Sequence, residues 1–316
     1  MLTGCLTTLV TPFAGDGIDE KEFGDFVEWQ VAQGVDGLVT CALAGEGPTL
    51  SDVERNRIVR LAVEAAAGRV PVVAAAGTNC TSETIDLAAA AKAAGAAAVL
   101  LATPYYSRPT QEGLFQHFQA VARAVDIPVI LGNAPLRSGV DLQAQTIERL
   151  VAIPAFVGLV DESPDPSRRL VNAFLCKNHM SWLETDAALV DAGRHAPAHG
   201  VMSLLANAAP ALCLAAAAAS DHMDPRRRDA LAERLLPLHR AFEQEGEPAA
   251  AKYAVSLLWP GFDASVRLPL TRPAPATAAL VRSALAELAR PLAPAPGTLE
   301  TAARHARQIE TITRGP

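Results

Sequence analysis

The stretch VPVVAAAGTNCTSETIDLAAAAKAAGAAAVLLATP, residues 70–104, decides how this chain folds. Two short apolar runs, 70–76 and 97–103, bracket a segment of helical period at 83–94. Both runs are continuous rather than alternating, which marks strands covered on both faces in a parallel sheet. Working outward, the same strand-then-helix alternation recurs. Strands are predicted at 5–10, 37–42, 128–133, 156–161, 181–185 and 200–204, and helices at 20–32, 52–66, 111–125 and 143–151. Several of the helices are opened by a Ser, Thr or Asp capping residue. Eight β/α units in succession predict an α/β fold of the (β/α)8 TIM-barrel type, with an open doubly wound sheet as the alternative. After about residue 220 the strand signals stop, and 225–245, 249–258 and 276–289 read as a C-terminal helical appendix. The expected division is a barrel at 1–222, a helical region at 223–290, and a proline-rich linker with a polar tail at 291–316.

Composition narrows the function classes. The chain has 316 residues, 50% hydrophobic and 19% charged, which supplies a large core and excludes a disordered chain. A formal charge of -7 offers no basic field for nucleic acid. The low-charge stretches are broken by Lys92 or by turn residues, so no membrane span is expected. The start, MLTGCLTTLVTPF, has neither a basic n-region nor an apolar h-region, and a cytoplasmic protein is predicted. Five cysteines (Cys5, Cys41, Cys80, Cys176, Cys213) are far apart with no C-x-x-C pair, and read as buried reduced thiols. Cys41, ending the second strand, has a competing reading as a thiol nucleophile. The seven histidines form no ligand-spaced set, because Pro197 interrupts the His195/His199 pair. Only four lysines are present: Lys21, Lys92, Lys177 and Lys252.

In a β/α barrel the chemistry sits where strands end and βα loops begin. After strand 2 comes Ala42-Leu43-Ala44-Gly45-Glu46-Gly47, whose backbone N–H groups can approach a carboxylate. After strand 4 come Tyr105 and Tyr106, a phenol pair able to relay protons at the mouth. After strand 5 comes Asn133-Ala134-Pro135-Leu136-Arg137, in which Arg137 offers a fork for a carboxylate.

Together, Val10-Thr11-Pro12-Phe13, the Gly45-Glu46 turn, TPYYSRPTQEGLFQHF at 103–118, the Asn133/Pro135/Arg137 pattern and Gly200-Val201 resemble the dihydrodipicolinate synthase and N-acetylneuraminate lyase family of class I aldolases and lyases. The likeness runs over roughly residues 2–292. It implies that a pyruvate or other 2-oxo acid is held by backbone amides of the strand-2 turn, and that a lysine ending strand 6 forms a Schiff base with it. It further implies a proton relay of a strand-5 tyrosine, a strand-2-turn threonine and a tyrosine from the neighbouring subunit. A homotetramer or tight homodimer is implied, with the Tyr105/Tyr106 loop crossing between subunits.

The chain departs from that pattern where the chemistry is done. Strand 6 of the family ends like G-[IL]-K-[ED]-[SA], whereas here Gly158-Leu159-Val160-Asp161-Glu162-Ser163 puts Val160 in the lysine's place, and a one-residue slip puts Asp161 there. Gly132 stands for the strand-5 tyrosine, and Leu43 and Ala44 for the threonines. Of the relay only Tyr106 remains. Schiff-base chemistry needs a primary amine at the carbonyl, and none of the four lysines ends a strand. The sequence therefore predicts a divergent member without Schiff-base catalysis. It would keep a pocket for a small carboxylate or 2-oxo acid lined by Leu43, Ala44, Gly45, Gly132, Arg137, Val160 and Met202. The alternative is a repurposed lyase or dehydratase/cyclase using Tyr106 with Glu162 or Glu184. Alternation along the chain would put Glu184 and Asp186 on one face, and with Asp161 and Glu162 they could hold a divalent metal. The competing structural reading has these carboxylates capping helices and pairing with Arg168 and Arg169. No cofactor is expected and no metal-ligand set is assigned.

Overall fold

A computed structural model describes residues 2–165, 167–177, 179–191, 198–222 and 225–289. His195 and the 291–316 segment lie outside the described residues, as does the expected domain junction at 223. Eight parallel strands close into a barrel: β1 (Gly4–Thr8), β2 (Gly37–Thr40), β3 (Val72–Ala75), β4 (Ala98–Ala102), β5 (Val129–Asn133), β6 (Phe156–Asp161), β7 (Ser181–Thr185) and β8 (Gly200–Ser203). Each strand pairs with its chain neighbours, and β1 closes the ring on β8 through Gly4 opposite Gly200. That seam needs glycine, because a Cβ on Gly200 would lie 2.4 Å from the Gly4 carbonyl oxygen. An antiparallel hairpin of Phe13–Ala14 and Gly17–Ile18 follows β1.

The outer layer is formed by α1 (Glu20–Ala32), α2 (Asp52–Ala66), α3 (Thr81–Ala93), α4 (Gln111–Ala124), α5 (Ala144–Val151), α6 (Ser167–Cys176), the short α7 (Asp186–Leu189) and α8 (Pro210–His222). Capping sets the starts of several. Asp19 accepts from the Glu22 N–H at α1, Ser51 and Glu54 form a reciprocal capping box at α2, and Thr110 accepts from the Gly113 N–H at α4. Lys177, expected on the helix after strand 6, lies just past its end at Cys176. Beyond the barrel, α9 (Pro225–Glu243) packs on α8, α10 (Glu247–Leu258) and α11 (Pro275–Leu288). Among the described residues no helix is long and apolar enough to cross a membrane.

Strand alternation sorts the apolar residues into two cores. Inside the barrel Leu6, Val39, Val73, Ala98, Ile130, Val160, Leu183 and Met202 pack together, one or more from every strand. Between sheet and helices lies the larger core, including Leu38, Leu101, Leu131, Leu159, Trp182 and Val201. Residues one step along a strand from a lumen residue thus face the helices.

Candidate functional site at the barrel mouth

The turn after β2 is shaped by its own backbone. Gly45 N–H donates to the Ala42 carbonyl at 3.1 Å, Glu46 N–H to Leu43 at 2.9 Å, and Gly47 N–H to Ala42 at 3.0 Å. A Cβ on Gly47 would fall 1.9 Å from the Cys41 carbonyl oxygen, so the chain can double back only with glycine there. Cys41 and Glu46 both take left-handed backbone conformations, at φ 57° and 55°. The amides of Leu43 and Ala44 make no hydrogen bond among the described residues, while that of Gly45 is taken up in the turn. Leu43 and Ala44 therefore offer the pair of donors that the sequence assigned more broadly to 43–45. The Gly45 carbonyl accepts from Thr11 Oγ1 at 2.9 Å. Cys41 is buried, its thiol pushed up to about 11 by burial, and its Sγ lies 3.7 Å from the Arg55 carbonyl. A thiol so placed is a small core residue rather than a nucleophile.

Glu46 is buried and ion-paired. Lys252, on α10 and also fully buried, donates from Nζ to Glu46 Oε1 at 2.7 Å, and its ammonium sits 3.9 Å from the Phe13 ring centroid. Desolvation pulls the Lys252 amine below its ordinary value, and Glu46 opposes this. The other carboxylate oxygen of Glu46 accepts the Arg267 N–H at 2.9 Å. The Arg267 guanidinium in turn grips Glu54, with contacts of 2.8 and 2.5 Å, and the carbonyls of Thr49 and Asp16.

At the end of β6 the side chain facing the lumen is Val160, paired in register with Gly132 on β5 and Leu183 on β7. Asp161 faces the helices. It accepts from Asn133 Nδ2 at 2.9 Å, the Ser163 N–H at 2.8 Å, Asn172 Nδ2 at 2.7 Å and Arg168 at 3.1 Å. The slipped register that would aim Asp161 inward is thereby excluded. Gly132 leaves little spare room beside it, since a Cβ there would meet Leu100 Cδ1 at 3.3 Å. Met202 lines the same interior from β8.

The four candidate metal-binding carboxylates are not brought together. Glu184 turns to Arg169 on α6 at 3.5 Å, and burial raises its pKa to about 6 against the pull of that arginine. Asp186 begins α7 and accepts from Ser203 Oγ at 2.5 Å and from the Leu204 and Leu205 N–H groups at 2.8 and 3.0 Å. Burial raises its pKa, and these hydrogen bonds oppose the rise. Glu184 and Asp186 do share the helix side of the sheet, since Glu184 stands in register with Val201 and Asp186 bonds Ser203, but each is taken up by different partners. Among the described residues no group of three or more His, Cys, Asp or Glu is placed to hold a metal ion. His199 has a local partner, accepting the Trp182 N–H at 3.0 Å.

Tyr106, Arg137 and Glu162 do gather on one side of the mouth. The Tyr106 N–H donates to the Ser138 carbonyl at 3.3 Å, tying its loop to the single helical turn Pro135–Ser138 that carries Arg137. Tyr106 sits at φ 70° with its side chain 90% exposed. Arg137 is not free: its Nε lies 3.4 Å from Glu162 and its Nη2 2.7 Å from Glu247, the first residue of α10. Desolvation raises the Glu162 carboxyl, and Arg137 opposes the rise.

Sequence reasoning missed Glu247, Lys252 and the pairing role of Glu46. A single lysine in the apolar run Pro248-Ala-Ala-Ala-Lys252-Tyr-Ala was the available sign of a buried cation. Cys80, expected to be buried, is exposed at the start of α3, where the Ser82 hydroxyl and the helix's first N–H groups lower its thiol pKa. The apolar run that precedes it has ended by that point.

A closed parallel barrel, with two amides of its β2 turn unbonded among the described residues and a charged cluster after β5 and β6, defines the class: a (β/α)8 barrel with these groups at the C-terminal ends of its strands. The model of the dihydrodipicolinate synthetase family matches residues 1–287, and the chain belongs to that family. It is 44% identical over 290 residues to a 4-hydroxy-tetrahydrodipicolinate synthase from Acidiphilium cryptum, spanning 91% of this chain and 99% of that protein. It is 42% identical over 285 residues to one from Rhodospirillum centenum, spanning 90% and 98%. The crystal structure of a dihydrodipicolinate synthase from Acinetobacter baumannii complexed with pyruvate superposes with a TM-score of 0.83 at 34% identity, over 91% of this chain and 99% of that one.

Proposed function

We propose that this protein binds a small carboxylate, of the 2-oxo acid class, at the barrel mouth but does not capture it as a Schiff base. The observation that carries the reading is Val160, an aliphatic side chain at the lumen end of β6 among Leu6, Val39, Ile130, Leu183 and Met202. A carbinolamine needs a nitrogen nucleophile at the carbonyl carbon, and valine supplies only methyl groups. The four lysines support the same reading. Lys21 pairs with Asp25, Lys92 with Asp126 and Lys252 with Glu46, while Lys177 follows α6 on the outside. The Leu43 and Ala44 amides supply what recognition of a carboxylate requires, and the pyruvate-bound relative supports the ligand class.

Loss of an essential nucleophile in other enzymes costs on the order of 10⁴ to 10⁶ in rate. A dehydratase or cyclase built on Tyr106, Glu162 and Glu184 has less support, because Glu184 turns to the helix layer while the other two lie at the mouth. Self-association through the exposed Tyr105/Tyr106 loop, giving a homodimer or homotetramer, is part of the same proposal and is measurable by mass photometry. The deciding experiment is borohydride reduction in the presence of pyruvate, followed by intact-mass spectrometry. No lysine adduct is expected, and a stoichiometric one would overturn the reading. Binding itself is read by thermal shift, since a ligand at about 100 times its Kd adds about 2.7 kcal/mol.

A further inference from the structure

Among the described residues Arg137 is the cation that meets Glu162 and Glu247, two carboxylates of its own chain. Nε and Nη2 together form the side-on fork with which a guanidinium grips one carboxylate through two parallel hydrogen bonds. Here the fork is divided. Nε approaches Glu162 at 3.4 Å and Nη2 approaches Glu247 at 2.7 Å, the shorter contact and the one made from another part of the fold. One guanidinium faces two carboxylates, so the charge of Arg137 is already matched from within the chain. Across the barrel, the Leu43 and Ala44 amides follow β2, three strands from β5 in the closed ring. The two anion-recognition elements thus differ in state. The amides are unpartnered, whereas the guanidinium is occupied.

We propose that Glu247 is a specificity-determining residue: by occupying Arg137 it restricts the site to small monocarboxylates and rejects ligands that bring a second carboxylate to the far side of the mouth. The inference rests on the carboxylate-binding reading above. The aliphatic interior of Leu183, Val160 and Met202 below the mouth suits the apolar body of such an acid. Glu162 still meets Arg137 Nε when the Glu247 charge is removed, which keeps the guanidinium at the mouth and leaves Nη2 for a second carboxylate.

The test uses Glu247→Gln, which keeps the side-chain shape and removes the charge, with 2-oxobutyrate and 2-oxoglutarate as probes in isothermal titration calorimetry. Wild-type protein is expected to bind 2-oxobutyrate at least ten-fold more tightly than 2-oxoglutarate. Glu247→Gln should tighten 2-oxoglutarate at least ten-fold and leave 2-oxobutyrate within two-fold. Adding Arg137→Gln to that variant should abolish the gain, which a merely structural role for Glu247 would not do. If the wild type binds 2-oxobutyrate and Glu247→Gln leaves the ratio unchanged, the inference fails while the carboxylate-binding reading stands. If neither protein binds either acid, the carboxylate-binding reading fails and takes the inference with it. A melting temperature for each variant separates loss of binding from loss of fold.

Discussion

Removing the ammonium of Lys252 should expose the energetic dependence of the β2 turn on the helices beyond the barrel. In Lys252→Met the hydrocarbon stem is retained and the charge is lost, so Glu46, fully buried, loses the ammonium bonded to its Oε1 and keeps the Arg267 N–H and the more distant guanidinium. Breaking a buried pair by deleting one partner costs about 3–5 kcal/mol. An independent bound comes from the alternative open to the variant, in which Glu46 takes up a proton. Protonating a carboxylic acid that titrates near 4.3 in water costs about 4 kcal/mol at pH 7, at about 1.4 kcal/mol per pH unit. The two figures agree. The deficit should then shrink as the solution is acidified, to about 2 kcal/mol near pH 5.5. At roughly 2 °C per kcal/mol for a large domain, the melting temperature should fall by about 6–10 °C at pH 7. Lys252→Met with Glu46→Gln should recover part of the loss, since the amide oxygen still accepts the Arg267 N–H without a buried charge. Urea unfolding of wild type, both single variants and the double variant, at pH 7 and 5.5, measures all of this. A single-variant deficit under 1 kcal/mol, or two that simply add, would refute the claim that the pair is buried and coupled.

Burial lowers the pKa of His117 to about 4, and its Nδ1 lies 2.9 Å from Thr81 Oγ1. The unfolded chain binds this proton near 6.5, so the stability due to neutral His117 is complete above that pH and is lost as pH falls toward 4, amounting to about 3 kcal/mol. His117→Gln should flatten the stability profile over pH 4–6.5, and an unchanged slope relative to wild type would count against the assignment. Val160→Lys should create a pyruvate-dependent adduct trappable by borohydride, seen by intact mass, because the side chain at 160 projects into the lumen. Failure of a folded variant to react would show that position 160 does not reach the ligand carbonyl. Asp161→Ala should destabilise the fold by roughly 2–3 kcal/mol in urea, since Asn172 loses its buried acceptor while Arg168 keeps Asp141 and the Leu142 carbonyl. A change under 1 kcal/mol would mean that the network is dispensable.

The barrel was legible because its cues are local. The strands at 156–161 and 181–185 and the helices at 20–32 and 52–66 stand where the sequence puts them, since Asp19, Ser51 and Glu54 mark the helix starts within a turn. Helix α8 was not read: Pro210-Ala-Leu-Cys-Leu-Ala-Ala-Ala-Ala-Ala has too little polarity to show a period. In the mouth, Val160 was legible through the family resemblance, which sets it in the place of the strand-6 lysine. The occupied state of Arg137 was not, because Glu247 arrives from a distant helix whose approach no local pattern encodes. Asp161 and Asp186 were readable as carboxylates but not as hydrogen-bond hubs, since their partners come from other elements.

The staple between the β2 turn and the late part of the chain also bears on biosynthesis. Glu46 meets Lys252 across 206 positions and the Arg267 amide across 221. At about 5–20 residues per second, a ribosome releases Glu46 roughly 10–40 s before Lys252 exists. Throughout that interval the Glu46 carboxylate has no ammonium to pair with, so the β2 turn can take its final form only after Lys252 has been made.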